Sequence, residues 1–303
     1  FYTWMIRFIL QADPYSFNRN RNKLIDLAIA SKCELESFLR QNKVKMTFNK
    51  SGKLHLLEDG AQFSKFKKLG QILGDRKYEQ RILQRTDISG IEPMLDGVSS
   101  QYIAAAFAPA DLSSDPKDLS QNIFNYFKKY NKNVKYLFNK EVTNFNITNN
   151  IIDKITINDD EEIAANAILI CAGAYTNNVL KLLDKKLPIY PVKGYSYDIV
   201  TDGKMPMPKV NITDHKRRVA FSPTGKNKMR LSSFFEFSPV SDDVTTMHLS
   251  YFERMLYEVF PEINVKKFEL HSGLRPCTPD SLPVVGQRFY DNLYFNVGHG
   301  SLG

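Results

Sequence analysis

The residues with the clearest chemical potential lie in the last stretch of the chain, HSGLRPCTPDSLPVVGQRFYDNLYFNVGHGSLG, from His271 to Gly303. Arg275 follows Gly273-Leu274 and precedes Pro276, so a permanently charged bidentate donor is expected to leave a glycine-flanked bend rather than a helix surface. Such a fork suits a carboxylate or a phosphate. The structural alternative is an arginine paired with the nearby Asp280 of the Thr278-Pro279-Asp280 turn. Beyond it, Leu293 to Val297 has the character of a buried strand and runs into Gly298-His299-Gly300-Ser301-Leu302-Gly303. That run has G-x-G-x-x-G spacing, yet the dinucleotide motif also needs a following helix, a second strand and an acid about 20 residues on. By itself the run implies a backbone that something flat or anionic can approach closely. A second such place is Ala167-Ile168-Leu169-Ile170-Cys171, a continuous apolar stretch expected to be a strand buried on both faces. Ala172-Gly173-Ala174 and an amphipathic helix through Leu183 follow it. Free N–H groups and the helix dipole there favour a phosphate in principle, although many strand-to-helix connections share the pattern without binding anything.

Elements that could position these groups are legible from periodicity. Phe1, Trp4, Met5, Phe8 and Ile9 recur at helical spacing, and Leu24, Leu27, Ala28, Ser31, Leu35 and Leu39 continue a second helix to Arg40; both read as core helices. Leu54 to Leu57 reads as a short strand and Phe63 to Leu73 as a helix. In DLSSDPKDLSQ, Asp115 is placed to cap a helix whose first residue is Pro116, where the missing N–H costs nothing. From Val134 the period becomes two, and Val134 to Phe138, Val142 to Ile147, Ile151 to Ile157 and Glu162 to Ala164 read as a meander of short strands. Residues 187 to 240 alternate in the manner of a mostly antiparallel sheet, before a helix over Thr245 to Phe260 and a strand over Lys266 to Leu270.

Composition excludes several classes. Of 303 residues, 43% are hydrophobic and 24% charged, which sets disorder and low-complexity scaffolds aside. Three cysteines, Cys33, Cys171 and Cys277, make neither a disulfide framework nor a zinc site and favour a reducing, cytoplasmic compartment. The five histidines show no zinc-ligand spacing, no metal is expected, and no G-x-S-x-G occurs. A net charge of +8 is spread over scattered runs such as KFKK and KKYNKNVK, which read as solvated helix ends rather than a nucleic-acid footprint.

GLRPCTPDSLPVVG followed by NLYFNVGHGSLG resembles the carboxy-terminal signature of the amine-oxidising FAD flavoproteins, the family that contains D-amino acid dehydrogenases and glycine oxidase. SGKLHLL, SSDPKDLSQ, KEVTNF, ILICAGAYT and YPVKGYS resemble successive earlier blocks, so the likeness covers nearly the whole chain. It implies an α/β (α+β) fold in which a Rossmann-like FAD-binding domain, here incomplete, is interleaved with an antiparallel-sheet substrate domain. The first would take residues 1–45, 106–180 and 271–303, the second 46–105 and 181–270. Carried over, Arg275 grips the substrate carboxylate and Tyr195 lines its pocket. Val142 meets the adenine through its backbone, Gly173 and Ala174 lie along the phosphate and ribityl region, and Gly298, His299, Gly300, Ser301 and Leu302 pack by the flavin ring. The activity implied is oxidative deamination of a D-amino acid such as D-alanine by hydride transfer to FAD. Electrons would leave to a quinone or other respiratory acceptor, a task suited to a peripheral contact with the inner membrane and compatible with an oligomer.

The chain departs from the family at Ser232-Ser233-Phe234-Phe235-Glu236, where relatives usually carry Gly-Gly-Thr before the Glu, and at Cys277, where Met is common. The strand-turn-helix that holds the ADP half of FAD, a unit of about 30 residues, and the helix after the last glycine turn are not in the sequence. The chain therefore reads as a fragment, expected to bind FAD poorly and to be inactive alone. Two other readings remain open at this level: an oxidase of glycine, sarcosine or another secondary amine, and a cofactor-free binding module descended from such an enzyme.

Overall fold

The computed structural model describes residues 1–46, 48–237 and 243–300. Helices α1 (Tyr2–Leu10) and α2 (Pro14–Gln41) lead into β1 (Lys53–Leu57), α3 (Gly60–Gly74), β2 (Arg81–Gln84), the single-turn α4 (Ile88–Ile91) and β3 (Ala104–Ala108). Next come α5 (Pro116–Tyr130), the strands β4 (Val142–Thr148), β5 (Ile151–Ile157), β6 (Glu161–Ala164) and β7 (Ile168–Ile170), and α6 (Thr176–Lys181). The last part holds β8 (Tyr190–Thr201), β9 (Asn211–Asp214), β10 (Val219–Gly225), β11 (Lys228–Glu236), α7 (Thr246–Val259), β12 (Val265–Cys277), β13 (Val284–Gln287) and β14 (Leu293–Val297).

Eight strands form one sheet in the order β12-β8-β11-β10-β9-β1-β3-β2, antiparallel except for the β1–β9 pair. One face is covered by α7, whose Phe252, Met255 and Leu256 pack with Tyr195, Tyr197, Ile199, Phe221 and Leu231 in the main core. Directly paired residues share a face, so the register aligns Ala106, His55, Thr213, Ala220, Ser232, Ser196 and His271 in one row on the other side. At one end of that row α3 covers the face, Phe66 packing on Ala106 and His55, while the rest of the row is short and polar. A second sheet, β13-β14-β7, packs with part of the meander β4-β5-β6 around Phe145, Ile152, Ile170, Leu293 and Phe295. Asn292 ties the two together, donating to Ile152 O and accepting from Ile152 N, each at 2.9 Å.

Several expectations change. α2 begins at Pro14, well before Leu24, because Asp13 accepts from the N–H groups of Tyr15 and Ser16 and supplies a cap that apolar periodicity does not reveal. Neither α1 nor α2 is a core helix: Trp4 alone is buried in the first, Asn20 and Leu39 in the second, while Ile6, Ile9 and Leu10 are exposed. Val134 to Phe138 is not a strand; its alternation directs Tyr136 and Phe138 onto Phe124 of α5. β7 is an edge strand, and the face that carries Leu169 is not covered among the described residues, so Leu169 stands 60% exposed instead of being covered on both sides. The Asp115 cap on α5 is present, its side chain accepting from Lys117 N. The domain limits drawn at 105/106 and 270/271 fall inside β3 and β12, both strands of the large sheet.

Candidate active site

β14 runs parallel to β7, with Leu293 opposite Ile168 and Phe295 opposite Ile170. Gly298 and Gly173 therefore stand at the same level, each three residues past the last pair, at the carboxyl ends of parallel strands, where open α/β sheets bind their ligands. Both have positive φ, +78° and +53°, as does Gly300 at +62°. Their local demands differ. A Cβ at Gly298 would meet Thr278 Cγ2 at 2.9 Å, whereas one at Gly173 would meet nothing within 4 Å, so Gly173 opens onto free space. Gly173 and Ala174 form one 3-10 turn that lies against β8 and β12. The helix after it, α6, has six residues and ends at Lys181, shorter than the helix expected through Leu183. Val142 opens β4 at the rim of the apolar cluster that holds Ile170 and Phe295. Ser301 and Leu302 lie outside the described residues.

Arg275 does not leave a bend. It is part of β12, which continues to Cys277 as one strand because His271 to Cys277 keep pairing with Ser196 to Tyr190 of β8. The end of that strand brings the glycine turn to the arginine: Cys277 bridges to His299, and Gly300 N donates to Pro276 O at 3.0 Å. The guanidinium lies flat over the backbone of Gly194, its Cζ stands 5.6 Å above the ring of Phe235, and Nη1 donates to Phe234 O at 2.9 Å. No carboxylate pairs with it among the described residues. Asp280, the expected structural partner, instead accepts from Leu282 N. Burial pushes the Arg275 pKa down from its ordinary value, opposed by the neighbouring Cys277. An arginine stays charged at neutral pH regardless, so a desolvated cation waits here with most of its donors unused. The same burial pushes the Cys277 thiol up, against the pull of Arg275, and keeps it protonated.

The bulge in β11 between Ser233 and Glu236 makes this arrangement. Phe234 takes φ of +67°, which turns its ring into the core against Tyr195 and Tyr251 and leaves its carbonyl for Arg275. Phe235 then emerges on the opposite face, 54% exposed, under the guanidinium. Tyr195 lies on the α7 side, because β8 alternates and Gly194 already occupies the Arg275 side. It is buried, stacked on His248 with ring centroids 3.8 Å apart, and donates to Glu236 Oε2 at 2.8 Å. Burial and that carboxylate push its pKa up to about 12. Tyr195 thus supports the bulge from behind and does not line the Arg275 pocket.

Two hollows meet at Phe235. One, of about 480 Å³, is lined by Thr213, His215, Arg218, Ser232, Phe235 and Arg275. The other, of about 160 Å³, is lined by Trp4, Phe235, Cys277, Thr278, His299 and Gly300. Trp4 fixes the roof of the second, since its indole N–H donates to Cys277 O at 2.9 Å and it packs against Val192. Gly194, Arg218, His215 and Phe235 are contributions that sequence reading missed. The only available signal was the Phe234-Phe235 doublet, which breaks an alternating strand.

His215 also meets His55, with Nε2 3.1 Å from His55 Nδ1 and Phe66 packed against both rings. Burial first, then Lys53 and His215, hold His55 well below its usual 6.5, and burial with Lys65 lowers His215. The unfolded chain takes up these protons near pH 6.5 and the folded one only at lower pH. Stability is therefore full above pH 6.5 and is lost as pH falls towards the folded values, by at most about 1.4 kcal/mol per pH unit for each histidine. Thermal unfolding followed from pH 7 to pH 5 is expected to show this decline, and His55→Gln to flatten it. Equal slopes for both proteins would remove His55 as the source.

The chain is similar to several known proteins. Residues 7–303 match the family model described as DAO, FAD dependent oxidoreductase. The chain is 25% identical over 303 residues to the D-amino acid dehydrogenase of Methylobacterium nodulans, covering 100% of this chain and 71% of that protein. It is also 25% identical to the D-amino acid dehydrogenase of Dechloromonas aromatica, over 99% of this chain and 72% of the relative. Among solved structures, L-proline dehydrogenase from P. horikoshii superposes with a TM-score of 0.79 at 21% identity, covering 91% of this chain and 74% of that one. Glycine oxidase from Bacillus cereus gives 0.77 at 16% identity, over 92% and 75%.

Proposed function

The chain belongs to the DAO family of FAD-dependent oxidoreductases, and from that premise we propose that it serves the oxidative deamination of D-amino acids, with electrons passed on to a respiratory quinone. The observation that carries this reading is Arg275, a half-buried cation without a carboxylate partner among the described residues, one strand end away from a glycine turn. The residues present fit the cofactor. Gly173 faces open space, and the His299-Gly300 backbone borders the smaller hollow. Gly173, Ala174 and Gly298 to Gly300 would hold FAD through backbone, with Val142 at the adenine end; Ser301 and Leu302, of the same expected set, lie outside the described residues.

Bound FAD supplies the acceptor for the hydride that leaves Cα, so that the amine becomes an imine and water converts it to a 2-oxo acid and ammonia. Arg275 does the binding and orienting. Its planar fork offers two parallel charge-assisted bonds to the substrate carboxylate, and its contact with Phe234 O fixes the direction of that fork. Phe235 and Trp4 border the approach with apolar surface that limits water. No protein base is required when the amine arrives neutral, and Tyr195, held protonated and bonded to Glu236, is not placed to act as one.

The test uses the protein encoded by the complete reading frame, purified with its flavin. Anaerobic D-alanine is expected to bleach the visible flavin band, a quinone analogue to restore it, and turnover in air to consume little oxygen. Bleaching by glycine or sarcosine with rapid peroxide release would favour an amine oxidase instead. Retained flavin that no amine bleaches would end the reading.

A further inference from the structure

The hollow that holds Arg275 contains a second cation. Arg218 lines the same cavity of about 480 Å³, and its guanidinium, like that of Arg275, pairs with no carboxylate among the described residues. Neighbouring arginines of the large sheet are matched: Arg230 holds Asp198 at 2.6 Å, and Arg217 holds Asp214 at 3.0 Å and Glu258 at 2.9 Å. The one acid lining the cavity, Asp214, is fully buried and already committed. It accepts from Tyr102 OH at 2.6 Å and from both the backbone N–H and Nη1 of Arg217 at 3.0 Å. His215, turned towards His55, adds no fixed negative charge. The cavity therefore carries two uncompensated positive groups over a floor of Thr213, Ala220 and Ser232.

Arg218 is exposed, but its backbone is held in place. It sits in the corner between β9 and β10 with φ of +54°, a conformation that costs energy for any residue with a side chain. The corner is pinned on both sides of the peptide: Ser233 Oγ donates to Arg218 O at 2.8 Å, and Tyr251 OH donates to Arg217 O at 2.5 Å. Both anchoring hydroxyls come from the bulge and the α7 face that also shape the Arg275 side. The backbone is thus held so that residue 218 meets the cavity that residue 275 meets.

We propose that this pocket selects a substrate with a second carboxylate, Arg275 taking the carboxylate next to the reacting carbon and Arg218 the one on the side chain. The inference rests on the amino acid oxidation reading for what the first carboxylate belongs to, and it names the substrate class as dicarboxylic amino acids. Size agrees with charge. The departure at residues 232–236 places Phe235 between the two hollows, so a side chain longer than a methyl group extends along the Ser232 floor towards Arg218 rather than under Trp4.

The test is a binding comparison on the flavin-loaded protein from the complete reading frame, using the unreactive 2-oxo acids as probes. Calorimetric titration is expected to show 2-oxoglutarate binding about tenfold more tightly than pyruvate. Arg218→Gln should bring the ratio close to one, and Arg218→Lys, which keeps the charge, should restore part of it. Melting temperatures of both variants report whether the corner still folds, and the lysine variant keeps the comparison valid if the glutamine variant does not. Equal affinity of the wild type for the two acids, or a ratio that Arg218→Gln and Arg218→Lys leave untouched, would overturn the proposal. Flavin bleaching separates the two ideas. If D-alanine bleaches and the ratio ignores Arg218, only the dicarboxylate site fails. If neither D-glutamate nor D-alanine bleaches while 2-oxoglutarate still binds through Arg218, the oxidation reading fails and the site stands.

Discussion

Arg275→Met is expected to lower kcat/KM for a D-amino acid by about 10²- to 10⁴-fold, because two charge-assisted bonds of about 1.5–3 kcal/mol each disappear. The loss should divide between the two constants. Weaker carboxylate binding raises KM, and a carboxylate that is no longer clamped leaves Cα out of line with the acceptor, which lowers kcat. Arg275→Lys should recover only a minor part, since a compact ammonium offers charge without the planar fork. Folding should change little. The substitution removes one hydrogen bond, to Phe234 O, and at the same time removes a desolvated cation that has no anionic partner among the described residues. Steady-state kinetics beside thermal unfolding checks both halves. A kcat/KM within threefold of wild type would mean that the substrate carboxylate is held elsewhere.

How much of this was legible in the sequence depended on whether the information is local. The Asp115-Pro116 helix start and the strands from Val142 to Ile157 follow from caps and alternation within a few residues, and they were readable. β3 was not. Ala104 to Ala108 is completely buried in the large sheet, but alanine carries little strand preference of its own and is chosen there by close neighbours on both sides. The strand through Arg275 was cut short for a related reason: Gly273 and Pro276 look like punctuation, and only the unbroken pairing with β8 shows them to be strand residues. α1 and α2 were recognised as helices from their period, yet periodicity states which side chains are apolar and not whether another layer meets them.

The candidate site divides in the same way. Arg275 and the two glycine turns stood out because a lone arginine among small residues and glycines after apolar strands are chemically conspicuous in sequence. That Gly173 and Gly298 share a level became visible only with the Ile170–Phe295 register. Arg218 follows Lys216 and Arg217 directly, and nothing local in the sequence sets one of the three basic residues apart. Its neighbour Arg217 is consumed by Asp214 and Glu258, and that consumption, invisible in the sequence, is what leaves Arg218 distinct.

Gly194→Ala provides the sharpest separation of function from stability in this chain. A Cβ at residue 194 would overlap Nη1, Cζ and Nη2 of Arg275, and no other atom within 4 Å ranks closer. The overlapped group is the far end of a flexible side chain, so the backbone need not move; the guanidinium must instead swing off the strand and give up Phe234 O. In a strand interior, alanine is favoured over glycine by about 0.5–1 kcal/mol, which offsets most of the lost hydrogen bond. The melting temperature should therefore stay near wild type while kcat/KM falls by about 10- to 100-fold, mainly through KM, as the fork loses its alignment. Gly273→Ala is the matched comparison. It pairs directly with Gly194, shares its face, and has open space where the Cβ would go. It therefore reports the backbone contribution without the clash. Should the two alanine variants lose activity to the same extent, the packing of Arg275 on Gly194 would not be what aligns the carboxylate, and the direction of the fork would have to come from Phe234 O alone.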